Sequence, residues 1–353
     1  MQKRLSGKAI ALLDLTRALA AIYVVLYHVG VERGWTSGPG VFLRFGQEAV
    51  MVFFLLSGFV IFANEKDRAT EGFGYFYRRL RRIYPPLVFA ILVSVIVALI
   101  DGNLIERFDL AQLVGTLLAV QDIAALKPGV IVDPVLGNAA LWTLSYEILF
   151  YLLFPATMVA WRHYPRATTH FIGLTSCLCY ANYVLNPNHW TLVLSYYGVW
   201  WAGAMAADAY LRGKRNIVPL AAPMLWLAAL CGVAAAAVMI KGYQGLGVYP
   251  FLQLRHFTVA FVTIAIGFGP LGVLAARLAF GARKPADAAA SISYGIYVLH
   301  FPLLIISSLA ASTVGLIGMT IVLIALSYVS DRYLNEKLPR WKRPPAALAE
   351  SRG

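Results

Sequence analysis

Three ionisable side chains stand where a lipid-crossing helix tolerates them poorly. The segment 13–30, LDLTRALAAIYVVLYHVG, is apolar enough to span a bilayer, yet it carries Asp14, Arg17 and His28. Arg17 and His28 are eleven residues apart. At about 100° and 1.5 Å per residue they project from one helix face, about 16 Å apart along the axis. A charge near the centre of a membrane span costs at least ~2.5 kcal/mol, so its presence points to function by default. An imidazole, with an ordinary pKa near ~6.5, suits a general base at neutral pH. An arginine lower on the same face could neutralise an anionic group or hold the site's geometry. The pair reads equally as a structural bridge, with Asp14 as the partner of Arg17. Taken alone it leaves both readings open.

Four further segments carry chemistry. QEAVMVFFLLSGFVI, 47–61, opens with Glu48 and is interrupted by Ser57–Gly58, a small pair that serves close helix packing or a direct polar role. FYRRLRRIYPP, 76–86, groups Arg78, Arg79, Arg81 and Arg82. Such a group snorkels to lipid phosphates as a topology signal, or cradles the phosphates of a nucleotide-like donor. Pro85 and Pro86 are expected to start or break a helix there. In LWTLSYEILFYLLFP, 141–155, Glu147 sits among Trp142, Ser145, Tyr146 and Tyr151. The aromatics belong at an interface, but the carboxylate needs a polar cavity. In ISYGIYVLHFPLL, 292–304, His300 lies between aromatics and Pro302, as a helix-to-helix hydrogen bond or a catalytic group. His163, His170, His189 and His256 form no HExxH or other close spacing, so no metal site is expected. There is no G-x-S-x-G elbow and no glycine-rich phosphate loop.

The elements that must hold these side chains are membrane helices. Of 353 residues 60% are hydrophobic and 13% charged, and the mean hydropathy is +0.69. A soluble domain is nearer 45–50% apolar and about 25% charged, so an all-α integral membrane protein is expected. Candidate spans are 9–30, 47–63, 84–100, 141–160, 168–186, 190–210, 216–240, 254–278, 290–310 and 313–331. Each is near the ~20 residues needed to cross hydrocarbon. Counting the short apolar segment 110–123 would give an eleventh. With ten spans and the N-terminus inside, 23 lysines and arginines fall on the inner side and 6 on the outer, with Arg17 within a span. That obeys the positive-inside rule. The expected fold is therefore a bundle of about ten transmembrane helices with both termini cytoplasmic, and with 101–140 outside as a loop containing an interfacial or re-entrant helix. The membrane domain is expected over 1–335 and a basic cytoplasmic tail over 336–353. The net charge of +13 then reads as basic loops rather than a nucleic-acid surface. MQKRLSGK at the start reads as the flank of an uncleaved first span. Cys177, Cys179 and Cys231 have neither zinc spacing nor a disulfide framework.

In order and spacing these segments resemble the membrane-bound acyltransferase 3 family, which makes O-acyl esters on sugars and polysaccharides. LDLTRALAAIYVVLYH resembles its arginine, ten residues, histidine signature through Arg17 and His28. VFFLLSGFVI is similar to its FF-x-x-SGF segment, and FYRRLRRIYPP to its FYxRRxxRIxP segment. LWTLSYEILFYL resembles its W-S-L-S-x-E-x-x-FYL block, with Thr143 for serine, and SISYGIYVLHFPLL its last block, with His300 and Pro302. Two departures stand out: Ala49-Val50-Met51 replaces Gly-Val-Asp, and Glu147-Ile148 replaces Glu-Glu.

The resemblance implies an O-acyltransferase that takes an acyl group, usually acetyl, from cytoplasmic acetyl-CoA or another acyl-CoA to a glycan hydroxyl. His28, Arg17 and Glu147 are the expected catalytic set, and Arg78, Arg79 and Arg82 the expected donor site. Glu48, Ser57, Trp142, Ser145, Tyr146 and His300 are candidates for a substrate channel. The expected location is a bacterial-type inner membrane, in association with a polysaccharide synthesis or export assembly. The competing readings are a transporter or flippase without bond chemistry, for which no internal repeat is seen, and a scaffolding subunit.

Overall fold

Ser6 caps the first helix, its hydroxyl accepting from the Ala9 amide at 3.2 Å, and α1 then runs unbroken over Gly7–Glu32. At 1.5 Å per residue such a helix exceeds the ~30 Å hydrocarbon core. In this computed structural model residues 5–334 and 337–339 are described. Lys3, Arg4 and, apart from 337–339, the expected tail at 336–353 lie outside the described residues.

The following helices are α2 (Gly46–Glu65), α3 (Phe73–Ile100), α4 (Leu104–Arg107), α5 (Leu110–Leu117), α6 (Trp142–His163), α7 (Pro165–Leu185) and α8 (His189–Leu211). Then come α9 (Ala221–Lys241), α10 (Phe251–Gly267), α11 (Pro270–Gly281), α12 (Arg283–Ala290), α13 (Ser293–His300) and α14 (Thr313–Tyr328). Among the described residues there is no strand, only an isolated bridge between Gln121 and Val132. Among the described residues six helical segments are long and apolar enough to cross a membrane, and up to eight if two bent pairs each count as one span. The protein is an all-helical, multi-pass integral membrane protein.

The helices α7 and α8, at 21 and 23 residues, are long enough but are not among those six. The reason is visible in α8, where 16 of 23 residues are buried, including Trp200, Trp201, Tyr196 and Tyr197. A helix enclosed by other helices can be rich in polar aromatics, because it faces protein and not lipid. The helix α14 shows the opposite case. Val314, Ile317, Ile321 and Ile324, spaced three or four apart, are exposed, as a lipid-facing stripe must be.

Three expectations about span boundaries are refined. Pro85 and Pro86 neither start nor break a helix, since α3 runs through them. They deprive the carbonyls of Arg81 and Arg82 of their partners, a loss that is tolerable beside a polar cluster where other donors can reach. The span expected at 254–278 is a broken pair, α10 and α11, bent by 75°. At the break Gly269 is extended before Pro270, which cannot continue the ladder. The span expected at 290–310 has a bend at its start, where α12 ends at Ala290 and lies at 45° to the helix that begins at Ser293. That helix ends in a π-helical turn over Phe301–Ile306 containing Pro302. Pro302 leaves the Val298 carbonyl without its i+4 donor, and the buried Asn138 side chain supplies one at 3.0 Å.

The segment 101–140 holds no spanning helix: α5 has only eight residues. An irregular stretch follows it, fastened by the buried ion pair of Lys127 with Asp122. Tyr146 donates to the same carboxylate at 2.6 Å, and the Lys127 ammonium sits 3.8 Å over the Trp142 ring. Burial pulls the Lys127 pKa down, and Asp122 opposes that shift.

The tightest crossing joins α2 to α8. A Cβ on Gly58 would lie 2.0 Å from the Trp200 carbonyl oxygen, and one on Gly203 would lie 2.1 Å from that of Leu55. Only paired glycines let the backbones approach so closely. The crossing seats Ser57, the neighbour of Gly58, against the Trp200 indole, whose N–H donates to the serine oxygen at 3.1 Å.

Candidate active site

Two cavities adjoin within the bundle. The first, about 100 Å³, is lined by Arg17, Arg82, Ser57, Thr143, Glu147, Tyr151, Tyr294 and Tyr297 among others. The second, about 140 Å³, is lined by His28, Tyr27, Gln47, Trp142, Tyr297 and Phe301 among others. Val50 and Tyr297 belong to both linings, so they form the partition between them. Helix geometry explains the division. Arg17 and His28 share one face of α1 but stand three turns apart, and each opens into its own cavity.

The arginine cavity is polar because its groups answer one another. Ser57 donates to Glu147 Oε1 at 3.2 Å, and the Tyr151 hydroxyl donates to the same oxygen. Glu147 and Tyr151 are four residues apart on α6 and so meet on one face. A carboxylate held by two O–H groups and facing Arg17 and Arg82 across a cavity is a tolerable charge in a membrane domain. Arg17 contacts Asp14 only at 3.5 Å, so much of its hydrogen-bonding capacity remains available. Arg82 is exposed and makes no ion pair among the described residues. Two guanidinium groups facing one small cavity favour an anion there.

Arg78 and Arg79 stand elsewhere. Both converge on Glu65, the last residue of α2, which is 1% exposed. Arg78 holds it through two contacts of 2.7 and 3.2 Å and reaches Glu71 at 3.0 Å; Arg79 binds it at 2.9 Å. Neither lines either cavity. Of the basic cluster on α3, Arg82 alone reaches the arginine cavity.

In the histidine cavity the His28 ring is half-buried. It packs edge-on to Tyr27 and Phe301, at 4.7 and 5.0 Å between centroids, and lies 5.3 Å from the His300 ring. His300 is fully buried behind it and touches neither cavity. Trp142 contributes to the wall. Ser145 and Tyr146 do not: the first donates to the Trp142 carbonyl at 2.8 Å, the second to Asp122. Glu48 is also outside both linings, paired with Arg255 at 2.5 Å. Among the described residues no three His, Cys, Asp or Glu side chains converge as a metal site.

Sequence reasoning missed Tyr294 and Tyr297 as cavity walls. Their signal was present in the spacing of three residues within SYGIY, which turns both the same way, with His300 three further on. It also missed the Asp122–Lys127 pair, whose two members are brought together by an irregular loop that no periodicity describes.

The fold and site together define a multi-pass helical membrane protein with a charged cavity and a histidine cavity at its centre. The acyltransferase-domain model matches residues 10–330, and the chain belongs to the acyltransferase 3 family. Nodulation protein 10 of Rhizobium leguminosarum bv. viciae is 29% identical over 174 aligned positions, covering 44% of this chain and 46% of that protein. Peptidoglycan O-acetyltransferase OatA of Listeria monocytogenes serovar 1/2a is 24% identical, covering 86% of this chain and 51% of the relative. O-acetyltransferase OatA of Staphylococcus aureus strain NCTC 8325 is 25% identical, covering 86% and 52%. The chain thus spans about half the length of the curated relatives it matches. No solved structure matches it significantly.

Proposed function

We propose that this protein is a membrane O-acyltransferase that moves an acyl group, acetyl in the first instance, from an acyl-CoA to a hydroxyl of a surface or exported glycan. The observation that carries the reading is the pair of adjoining cavities, one lined by two guanidinium groups and the other by a histidine, separated by Val50 and Tyr297. Family membership and two O-acetyltransferase relatives support the reaction class. The topology belongs to the same reading. Six spans, two broken spans and the buried pair α7 and α8 make ten, and the distribution of basic residues in the sequence favours cytoplasmic termini in an inner membrane.

In this reading the donor enters at the cytoplasmic end, and its phosphates meet Arg82 and Arg17. Arg78 and Arg79 hold that entrance in shape through Glu65 rather than bind the donor. The thioester reaches along the α1 face, and the Tyr297 ring moves aside to join the two spaces. His28 takes the proton of the acceptor hydroxyl as its oxygen forms a bond to the thioester carbonyl carbon; the C–S bond then breaks and CoA thiolate leaves. A variant of the same geometry has His28 attack first and carry the acyl group. Glu147, held by Ser57 and Tyr151, balances the charge of the two arginines and orients the site.

The test is His28→Ala, followed by the O-acyl ester content of purified surface glycan with and without the protein. Transfer should cease while the protein inserts normally. Near-normal ester content would overturn the proposal.

A further inference from the structure

His300 takes no part in the scheme above, yet it is fully buried and borders His28. Its Nδ1 lies 2.7 Å from the Tyr297 carbonyl oxygen and 3.2 Å from that of Ile296. A carbonyl oxygen only accepts, so Nδ1 carries a proton. No carboxylate pairs with His300 among the described residues, and an unpaired buried imidazolium would be costly. The ring is therefore the neutral Nδ1–H tautomer, and its Nε2 presents a lone pair. That Nε2 has no hydrogen-bond partner among the described residues, and a buried acceptor left unpaired is costly.

The neighbouring rings restrict what can fill it. Phe301, at 6.0 Å, has no donor, and the Tyr297 hydroxyl, which accepts from Thr143 at 3.1 Å, makes no bond to His300 Nε2. His28 is nearest, at 5.3 Å between centroids with a 35° tilt, and its side chain faces the histidine cavity. We propose that His300 is a positioning residue whose Nε2 accepts the ring proton of His28, leaving the other His28 nitrogen free to face the acceptor hydroxyl. At 5.3 Å between centroids the two rings are near enough for a nitrogen-to-nitrogen bond once they turn into line, as catalytic hydrogen bonds often do when substrate fills the site. The arrangement resembles the orienting member of a catalytic triad, with a neutral imidazole in place of a carboxylate. Without it His28 divides between two tautomers, one of which points its proton at the acceptor. The inference rests on the proposed role of His28.

Asparagine and glutamine separate the two ring nitrogens. His300→Asn keeps a donor near Nδ1, and so the bond to Tyr297, but removes the Nε2 acceptor. His300→Gln places an amide near Nε2. In membranes or detergent, His300→Asn should lower kcat about 100-fold, with KM for acyl-CoA within about twofold, while His300→Gln recovers at least about tenfold of that loss. A folded His300→Asn protein with wild-type kcat, or a folded glutamine variant as impaired as the asparagine one, would overturn the inference. His28→Ala measured alongside distinguishes the failures. If it retains transfer, the functional reading falls; if it is inactive while His300→Asn is normal, only the positioning role falls. A measurement on the unaltered protein covers variants that fail to fold. With 15N-labelled histidine, His300 should give the Nδ1–H pattern and His28 the pattern of one tautomer. Shifts averaged between tautomers at His28 would overturn the proposal.

Discussion

The two cavities share Val50 and Tyr297 but solve opposite problems. The arginine cavity is built of charge and hydroxyl groups, Arg17, Arg82, Glu147, Ser57 and Tyr151, each answered by a partner or open to an anion. The histidine cavity carries one histidine, His28, set among Tyr27, Trp142, Tyr297 and Phe301. A neutral imidazole keeps its lone pair in such a setting, because no carboxylate, lysine or arginine lines the cavity. One side suits the recognition of an anionic handle, and the other suits proton transfer. A single helix, α1, serves both because three turns separate Arg17 from His28.

Substitutions that touch one side should therefore fail differently from those that touch the other. His28→Ala should reduce transfer by at least about 10³-fold, consistent with the upper range of general-base contributions. A smaller loss would shift the chemistry away from the histidine cavity. Glu147→Gln preserves shape but leaves Arg17 and Arg82 facing each other with less compensation, and should lower kcat by about 100-fold. Equal activity would make Glu147 a packing group. Arg82→Ala removes one charge-assisted contact, worth about 1.5–3 kcal/mol, and should raise KM for acyl-CoA about tenfold or more with kcat nearly kept. Arg79→Ala is its control. Glu65 keeps Arg78 and Arg68 as partners, so KM should stay within about twofold while thermal stability falls by a few degrees. A donor KM that rises equally in both variants would erase the distinction drawn within the basic cluster. The smallest effect is expected at the partition. Tyr297→Ala joins the two cavities, and acyl-CoA hydrolysis without acceptor should rise a few-fold as water reaches the thioester. No rise would mean that the ring does not separate the two spaces.

Much of this was readable in one dimension. Apolar length and basic loops announced the membrane helices, and the eleven-residue interval on α1 put Arg17 and His28 on one face, because both depend on local periodicity. Glu147 stood out for the same reason: a carboxylate in an apolar helix has few places to go. The breaks at Pro270 and before Ser293 were harder to see, since hydropathy averages over a bend and a span broken by 75° keeps its composition. The fate of FYRRLRRIYPP was not readable at all. Four arginines within five residues look alike in sequence, yet Arg78 and Arg79 meet Glu65 while Arg82 meets the cavity. Which guanidinium is neutralised depends on where the end of α2 lies beside α3.

The sequence by itself determined that this is a membrane protein, that α1 carries an arginine and a histidine on one face, and which segments hold the remaining polar groups. These follow from hydropathy and helical repeat, which are properties of neighbouring residues. Only the tertiary structure decided that Arg17 and His28 open into separate cavities, that Tyr297 stands between them, and that His300 packs behind His28. Those relations join α1, α2, α3, α6 and α13 across long stretches of chain. They are set by which faces pack together, and a residue's spacing along its own helix does not contain that information.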